Sequence, residues 1–193
     1  MLEPSHDRRT RNSGSRKVVL IDLENMLFGD HRGSDPNRRP DRSAEILDLA
    51  QARRPGDMLI VGCNPHLAFL ANEHFPGAKI VTGKGKDGAD QALIDAVDAD
   101  HAADRYSELC IVSGDHAFGE VAHAARRAGL RVRVVAPHAG LSTALRVYAD
   151  TTVILPEAPT VDAPPKPVTD LQTSDVTNLD ISMARDHERP MAA

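Results

Sequence analysis

The chain has 193 residues, a formal net charge of −5 and two cysteines, a length that suits one domain with a sizeable core and some spare segment. Cys63 and Cys110 have no C-x-x-C spacing and sit in apolar runs, which argues against a disulfide framework or a thiolate zinc site and for buried, reduced thiols. The acidic balance excludes a strong overall nucleic-acid footprint, although Arg-rich segments leave room for a local positive face.

Residues 1–16 are polar, carry Arg8, Arg9, Arg11 and Arg16, and lack an apolar signal region. Neither a signal peptide nor a membrane span is expected, and the cytoplasm is the expected location. From Lys17 the chain alternates short β-branched or aliphatic runs with longer amphipathic ones, the pattern of an α/β domain with a parallel sheet. Strands are predicted at Lys17 to Asp22, Asp57 to Cys63, Ala78 to Thr82, Glu108 to Ser113, Arg131 to Ala136 and Thr152 to Leu155. Helices are predicted at Ser43 to Arg53, Pro65 to His74, Gly88 to Ala103, His116 to Ala128 and Ser142 to Tyr148, with Gly56, Gly77 and Gly129 among the stops. Connections of this length suit right-handed crossovers that place helices on both faces of the sheet. Beyond Pro156, five prolines and scattered Asp, Thr and Ser give a composition that cannot offset ordering entropy, and disorder is expected over 156–193. The domain is therefore expected over 17–155.

Three aspartates fall at junctions. Asp22 closes the run Val18 to Ile21, Asp90 opens a helix behind the loop Gly83 to Gly88, and Asp115 follows the run Leu109 to Ser113. In a parallel sheet the carboxyl ends of strands and the starts of the following helices line one crevice. Three carboxylates converging there repel one another, and a divalent cation is the simplest means of stabilising them. The competing reading makes each aspartate a helix cap or turn residue. Asn25 is placed to orient Asp22 or a metal-bound water. Asp95 is rotated well away from Asp90, and with Asp98 and Asp100 it reads as a solvated acidic face.

Gly83, Gly85 and Gly88 also form a G-x-G-x-x-G match between a strand and a helix, which makes dinucleotide binding a competitor. Against it, the match follows the third strand, and Asp87 and Asp90 would face the pyrophosphate at the helix N-terminus. The segment Gly29 to Arg42 has no apolar period and carries His31, Arg32, Arg38, Arg39 and Arg42 directly after Asp22 and its strand. It suits either a phosphate-contacting flap or a plain solvated loop.

These segments together resemble the NYN domain family, a branch of the PIN-like metal-dependent nucleases. The likeness rests on a strand ending in D-x-x-N at Asp22 to Asn25, and on a lysine-bearing loop leading into A-D-x-A-L at Ala89 to Leu93. It also rests on a strand ending in S-G-D with Phe118 three residues after Asp115, and on R-x-x-G-x-x-V at Arg126, Gly129 and Val132. It covers about Lys17 to Leu155. The resemblance implies a three-layer α/β sandwich around a mostly parallel sheet of five or six strands, and a metal-dependent ribonuclease using Mg²⁺ or Mn²⁺. By the same resemblance Asp22, Asp90 and Asp115 form the acidic, metal-holding site, with Asn25 and Ser113 as supporting polar groups. Many relatives carry a further Asp where this chain has Ala117; Asp87 is a candidate fourth acid from the loop, His116 a candidate contact for a phosphate or the leaving group, and a weakened module that binds RNA or a protein without cutting is the alternative. Lys84, Lys86 and the loop bearing Arg32, Arg38 and Arg39 would hold the RNA backbone, with weak sequence preference because aromatics are few. A homo-oligomer is compatible with the apolar residues Leu67, Phe69 and Leu70, which read more simply as core.

Overall fold

A computed structural model describes residues 16–28, 42–137 and 140–156. The expectations for residues 1–15, for Arg32, Arg38, Arg39 and most of their loop, and for the tail beyond Pro156 lie outside the described residues. Six strands form one sheet: β1 (Lys17–Asp22), β2 (Met58–Cys63), β3 (Lys79–Thr82), β4 (Glu108–Val112), β5 (Arg131–Pro137) and β6 (Thr151–Leu155). Every pairing is parallel, so the sheet is wholly parallel. The order β3-β2-β1-β4-β5-β6 is doubly wound and reverses direction between β1 and β4.

Helices α1 (Leu23–Phe28), α2 (Ser43–Leu49) and α3 (Ala68–His74) cover one face, and α4 (Gly88–Asp95), α5 (Ala99–Arg105), α6 (Gly119–Ala128) and α7 (Thr143–Tyr148) the other. The strand period decides which residue enters which layer. Val18 and Leu20 of β1 pack with Leu93, Val121 and Leu145 beneath α4, α6 and α7, whereas Val19 and Ile21 pack with Ile46, Ala71 and Phe75 beneath α2 and α3. Central β1 and β4 are buried along their whole length, which is why both read as continuous apolar runs.

At the amino end of the sheet, where β1 pairs Lys17 with Glu108 and β4 pairs Glu108 with Arg131, charge replaces apolar packing. Lys17 Nζ donates to Glu108 Oε1 at 2.7 Å and to the Ala50 carbonyl at 3.0 Å, and Arg133 Nε donates to Glu108 Oε1 at 3.3 Å. Burial alone would raise the Glu108 carboxyl, but the Lys17 hydrogen bond and the Lys17 and Arg133 charges outweigh it and hold its pKa below the usual value.

The helices differ from expectation in three places. The single helix expected over Gly88 to Ala103 is two, because Asp98, expected on a solvated acidic face, accepts a hydrogen bond from the His101 N–H at 3.0 Å and caps a new helix. Helix α1 follows β1 without a turn and is too short to show a period in sequence. Phe69, expected in the core, is 75% exposed, while Ala71 and Phe75 supply the buried face of that segment. Cys63 and Cys110 are buried free thiols, as expected, and among the described residues no helix is long and apolar enough to cross a membrane.

Candidate active site

The reversal of strand order between β1 and β4 opens a crevice at their carboxyl ends, and the chain places polar side chains there against the apolar rule of both strands. Asp22 ends β1 and Ser113 follows β4, both buried. Ser113 Oγ donates to Asp22 Oδ2 at 2.9 Å and accepts from the Asp115 N–H at 3.1 Å. The second contact fixes the first, since a hydroxyl that accepts from an amide is left with its one proton for the carboxylate. Asp22 Oδ1 accepts from the Asn25 N–H at 3.1 Å, so Asn25 meets Asp22 through the backbone at the start of α1 and not through its side-chain amide. Burial, followed by the charges of Asp90 and Asp115, outweighs those two hydrogen bonds and pushes the Asp22 carboxyl up to about 7.

Asp90 arrives from the first turn of α4, and a missing side chain on β2 seats that helix. Gly62 is the register partner of Asp22. A Cβ on Gly62 would collide with the Leu93 side chain and stand 3.0 Å from the Ala89 carbonyl oxygen, so α4 rests directly on bare strand. The loop before α4 is equally tight, because a Cβ on Gly83 would overlap the backbone of Gly88. These glycines therefore serve the loop's own closure. Asp90 is half-buried and accepts no hydrogen bond from the described residues; burial, then Asp115, Asp87 and Glu24, push its carboxyl up to about 6.

Asp115 follows β4 through Gly114, which lies against the Gly140 carbonyl and leaves no room for a Cβ. Its Oδ1 accepts from the Ala117 N–H at 2.8 Å and lies 2.9 Å from His116 Nδ1, so it does cap the turn His116–Phe118, as the alternative reading held. Its Oδ2 has no partner among the described residues. The cap and the shared field of the three aspartates thus coexist.

The crevice brings together Asp22, Asp90, Asp115, Ser113 and the backbone of Asn25, with Asp87 and His116 at its rim acting on Asp90 through their charge. Lys84 and Lys86 are exposed on the loop leading into α4. Glu24 is an addition, since its charge reaches Asp90 from α1; its place two residues after Asp22 gives no hint of that without the helix. Carboxylates are hard oxygen donors of the kind Mg²⁺ and Mn²⁺ take. As the side chains stand, no three Asp, Glu, His or Cys groups among the described residues are close enough to hold an ion. The donor chemistry fits a divalent cation, with Asp90 and Asp115 Oδ2 uncommitted.

In structure the chain is similar to a protein of unknown function from Vibrio parahaemolyticus, at 16% identity, over 74% of this chain and 94% of that one, with a TM-score of 0.50. That likeness concerns the fold. No curated protein matches the chain in sequence. The NYN domain model matches residues 16–156, from the residue before β1 to the residue after β6, and so takes in every element of the crevice. The chain belongs to the NYN domain family, within the PIN-like nuclease superfamily.

Proposed function

We propose that the protein is a divalent-metal-dependent ribonuclease whose site is Asp22, Asp90 and Asp115. The observation that carries this reading is the state of Asp22 and Asp90, two carboxyls raised to about 7 and about 6 by burial and by neighbouring carboxylates, the second without a hydrogen-bond donor among the described residues. Such a cluster destabilises its own fold unless positive charge enters it. NYN and PIN-like nucleases generally depend on divalent metal, and NYN nucleases generally act on RNA.

Asp22, Asp90 and Asp115 would hold one or two Mg²⁺ or Mn²⁺ ions, which when bound supply a water of lowered pKa and stabilise charge on the attacking and leaving oxygens of a phosphodiester. Ser113 and the Asn25 N–H would hold the Asp22 carboxylate in one orientation, within reach of the Asp90 charge. Lys84 and Lys86, exposed beside the crevice, attract the RNA backbone. His116, with Nδ1 toward Asp115 and a largely exposed ring, would meet a phosphate or the leaving group.

Ala117 favours a second reading, a module that binds RNA without turnover, because the residue next to His116 contributes only its backbone N–H to Asp115. Mn²⁺ titration by calorimetry, followed by incubation with labelled single-stranded RNA, separates the two. Asp115→Asn keeps an oxygen for the Ala117 N–H and loses the charge. Loss of both Mn²⁺ binding and cleavage in this variant is the expected result. Mn²⁺ binding by the wild type with no cleavage moves the conclusion to the binding module, and no Mn²⁺ binding with or without RNA ends the metal mechanism.

A further inference from the structure

Between α5 and the sheet lies a groove of about 490 Å³ that the acidic crevice does not use. Its floor is Val18 of β1 with Met58 and Ile60 of β2, because α5 leans on α6 and α4 rests on β2 further along, at Gly62. At one end the Tyr106 hydroxyl donates to Met58 Sδ at 3.6 Å, and a thioether is a weak acceptor. The rim is α5 itself. Asp98, His101, Asp104 and Arg105 line it, all exposed, and exposed Asp100 stands one turn before Asp104 on the same side of the helix. Asp98 is engaged with His101, whereas the Asp100 and Asp104 carboxylates have no partner among the described residues. An apolar floor thus lies beneath three carboxylates and one guanidinium.

The chain enters the sheet at the border of this groove. The Arg16 carbonyl accepts from the Ser107 N–H at 3.0 Å, and the Arg16 guanidinium lies over the Tyr106 ring, 5.9 Å from its centroid. The stem of the same side chain rests against Gly56, where a Cβ would stand 2.8 Å from Arg16 Cδ. Arg16 is thereby held between the start of β2 and the wall of the groove, and Ser15 is one peptide bond away from it.

We propose that residues 8–15 of this chain occupy the groove, with arginine stems over Met58 and Ile60 and guanidiniums on Asp100 and Asp104. The occupant follows from reach, composition and charge. Arg11 stands five residues before Arg16, a span of up to about 17 Å, and the seven residues of α5 cover about 10 Å, so the whole rim lies within reach. Residues 8–15 hold three arginines and no acid. Arginine covers apolar surface with its stem while keeping its charge at a polar edge, which is the combination that this floor and rim ask for. Ser13, Gly14 and Ser15 suit the reversal that brings the segment back over Val18. A nucleic acid would set phosphates against the rim carboxylates, which argues against it as the occupant. The proposal goes beyond the ribonuclease reading and does not depend on it.

The test is the rate at which uncharged N-ethylmaleimide labels a thiol placed in the groove of the full chain by Val97→Cys, or by Ala96→Cys where the first variant does not fold. Cys63 and Cys110 are buried, and the unsubstituted chain gives their background. Arg8→Glu/Arg9→Glu/Arg11→Glu in the same chain should speed labelling about fivefold or more, the effect of several exposed ion pairs acting together. Adding Asp100→Lys/Asp104→Lys should bring the rate back to within about twofold of its starting value, because the pairs re-form with their signs exchanged. Salt at about 1 M should speed labelling in the chain with native arginines. A control thiol at Phe69→Cys, 75% exposed on the other sheet face, should keep one rate throughout. Labelling in the groove that reversal of the arginines leaves unchanged overturns the proposal. So does equal acceleration at both thiols, which marks a loosened fold, and so does protection that grows with protein concentration, which gives the groove to a second copy of the chain.

Discussion

Asp22 is held by contacts that favour its charge in a place that opposes it. The Asn25 N–H and the Ser113 hydroxyl both stabilise the carboxylate, yet burial and the charges of Asp90 and Asp115 prevail and the group titrates at about 7. Its ordinary pKa is 3.8, so between those values the folded chain keeps a proton that the unfolded chain releases. Stability contributed by that proton is whole below about pH 4, declines as pH rises and is gone above about pH 7. Asp22→Asn, which never ionises, should match wild type at pH 4 and exceed it at pH 8 by up to a few kcal/mol, since each tenfold change in the protonation equilibrium is worth about 1.4 kcal/mol. Denaturant unfolding at the two pH values checks this. A variant less stable than wild type at pH 8 would mean that the Ser113 and Asn25 contacts need the charge more than the crevice resents it. Asp115 shows why residues cannot be read singly: it is both a cap and a member of the cluster, two roles that the sequence presents as alternatives.

Among the elements, α4 has the most consequential placement, and Gly62 sets it. The strand residue paired with Asp22 carries no side chain, and Leu93 and the Ala89 carbonyl occupy the space a methyl would need. Gly62→Ala should push the first turn of α4 off the sheet and carry Asp90 away from Asp22. The expected result is a destabilisation of about 1–3 kcal/mol from overpacking and a Mn²⁺ affinity lowered at least tenfold. Leu93→Ala in the same chain should recover affinity by vacating part of the contested space. Affinity that stays low in a refolded double variant would place Gly62 outside the positioning of Asp90. Strand positions were legible because continuous apolar runs such as Val18 to Ile21 permit no other burial, and the junction aspartates followed from the strand ends. Helix limits were less so. The α4–α5 break depends on Asp98 capturing one N–H, and α1 is six residues held by Leu23 and Met26 packing under the sheet, so neither leaves a period to read.

At the scale of the molecule, the sheet separates two kinds of charge. Its amino end holds the buried Lys17–Glu108–Arg133 network, in which opposite charges satisfy one another, and its carboxyl end holds the crevice, in which like charges do not. The first was invisible in sequence because Lys17, Glu108 and Arg133 are brought together only by strand register; the second was visible because each aspartate sits at a strand–helix junction. The two ends oppose each other in pH. Glu108 has a depressed pKa, so its stabilisation is present above its unfolded value of about 4.5 and is lost as pH falls through the lower folded value. Asp22 and Asp90 cost stability as pH rises toward about 7 and about 6. Metal-free protein should therefore be most stable near pH 4, where the two limbs meet. Mn²⁺ requires deprotonated carboxylates and competes with the protons on Asp22 and Asp90, so its stabilising effect should grow with pH and move the optimum above pH 7. Melting temperature measured from pH 2 to pH 9, with and without millimolar Mn²⁺, reads both limbs at once. An acid limb that Mn²⁺ leaves in place and a neutral limb that it flattens is the expected pattern, because the ion acts at one end of the sheet and the salt bridge at the other. If Mn²⁺ leaves the whole profile unchanged, the crevice does not take the ion, and the raised carboxyls are a cost of the fold without a ligand to offset it.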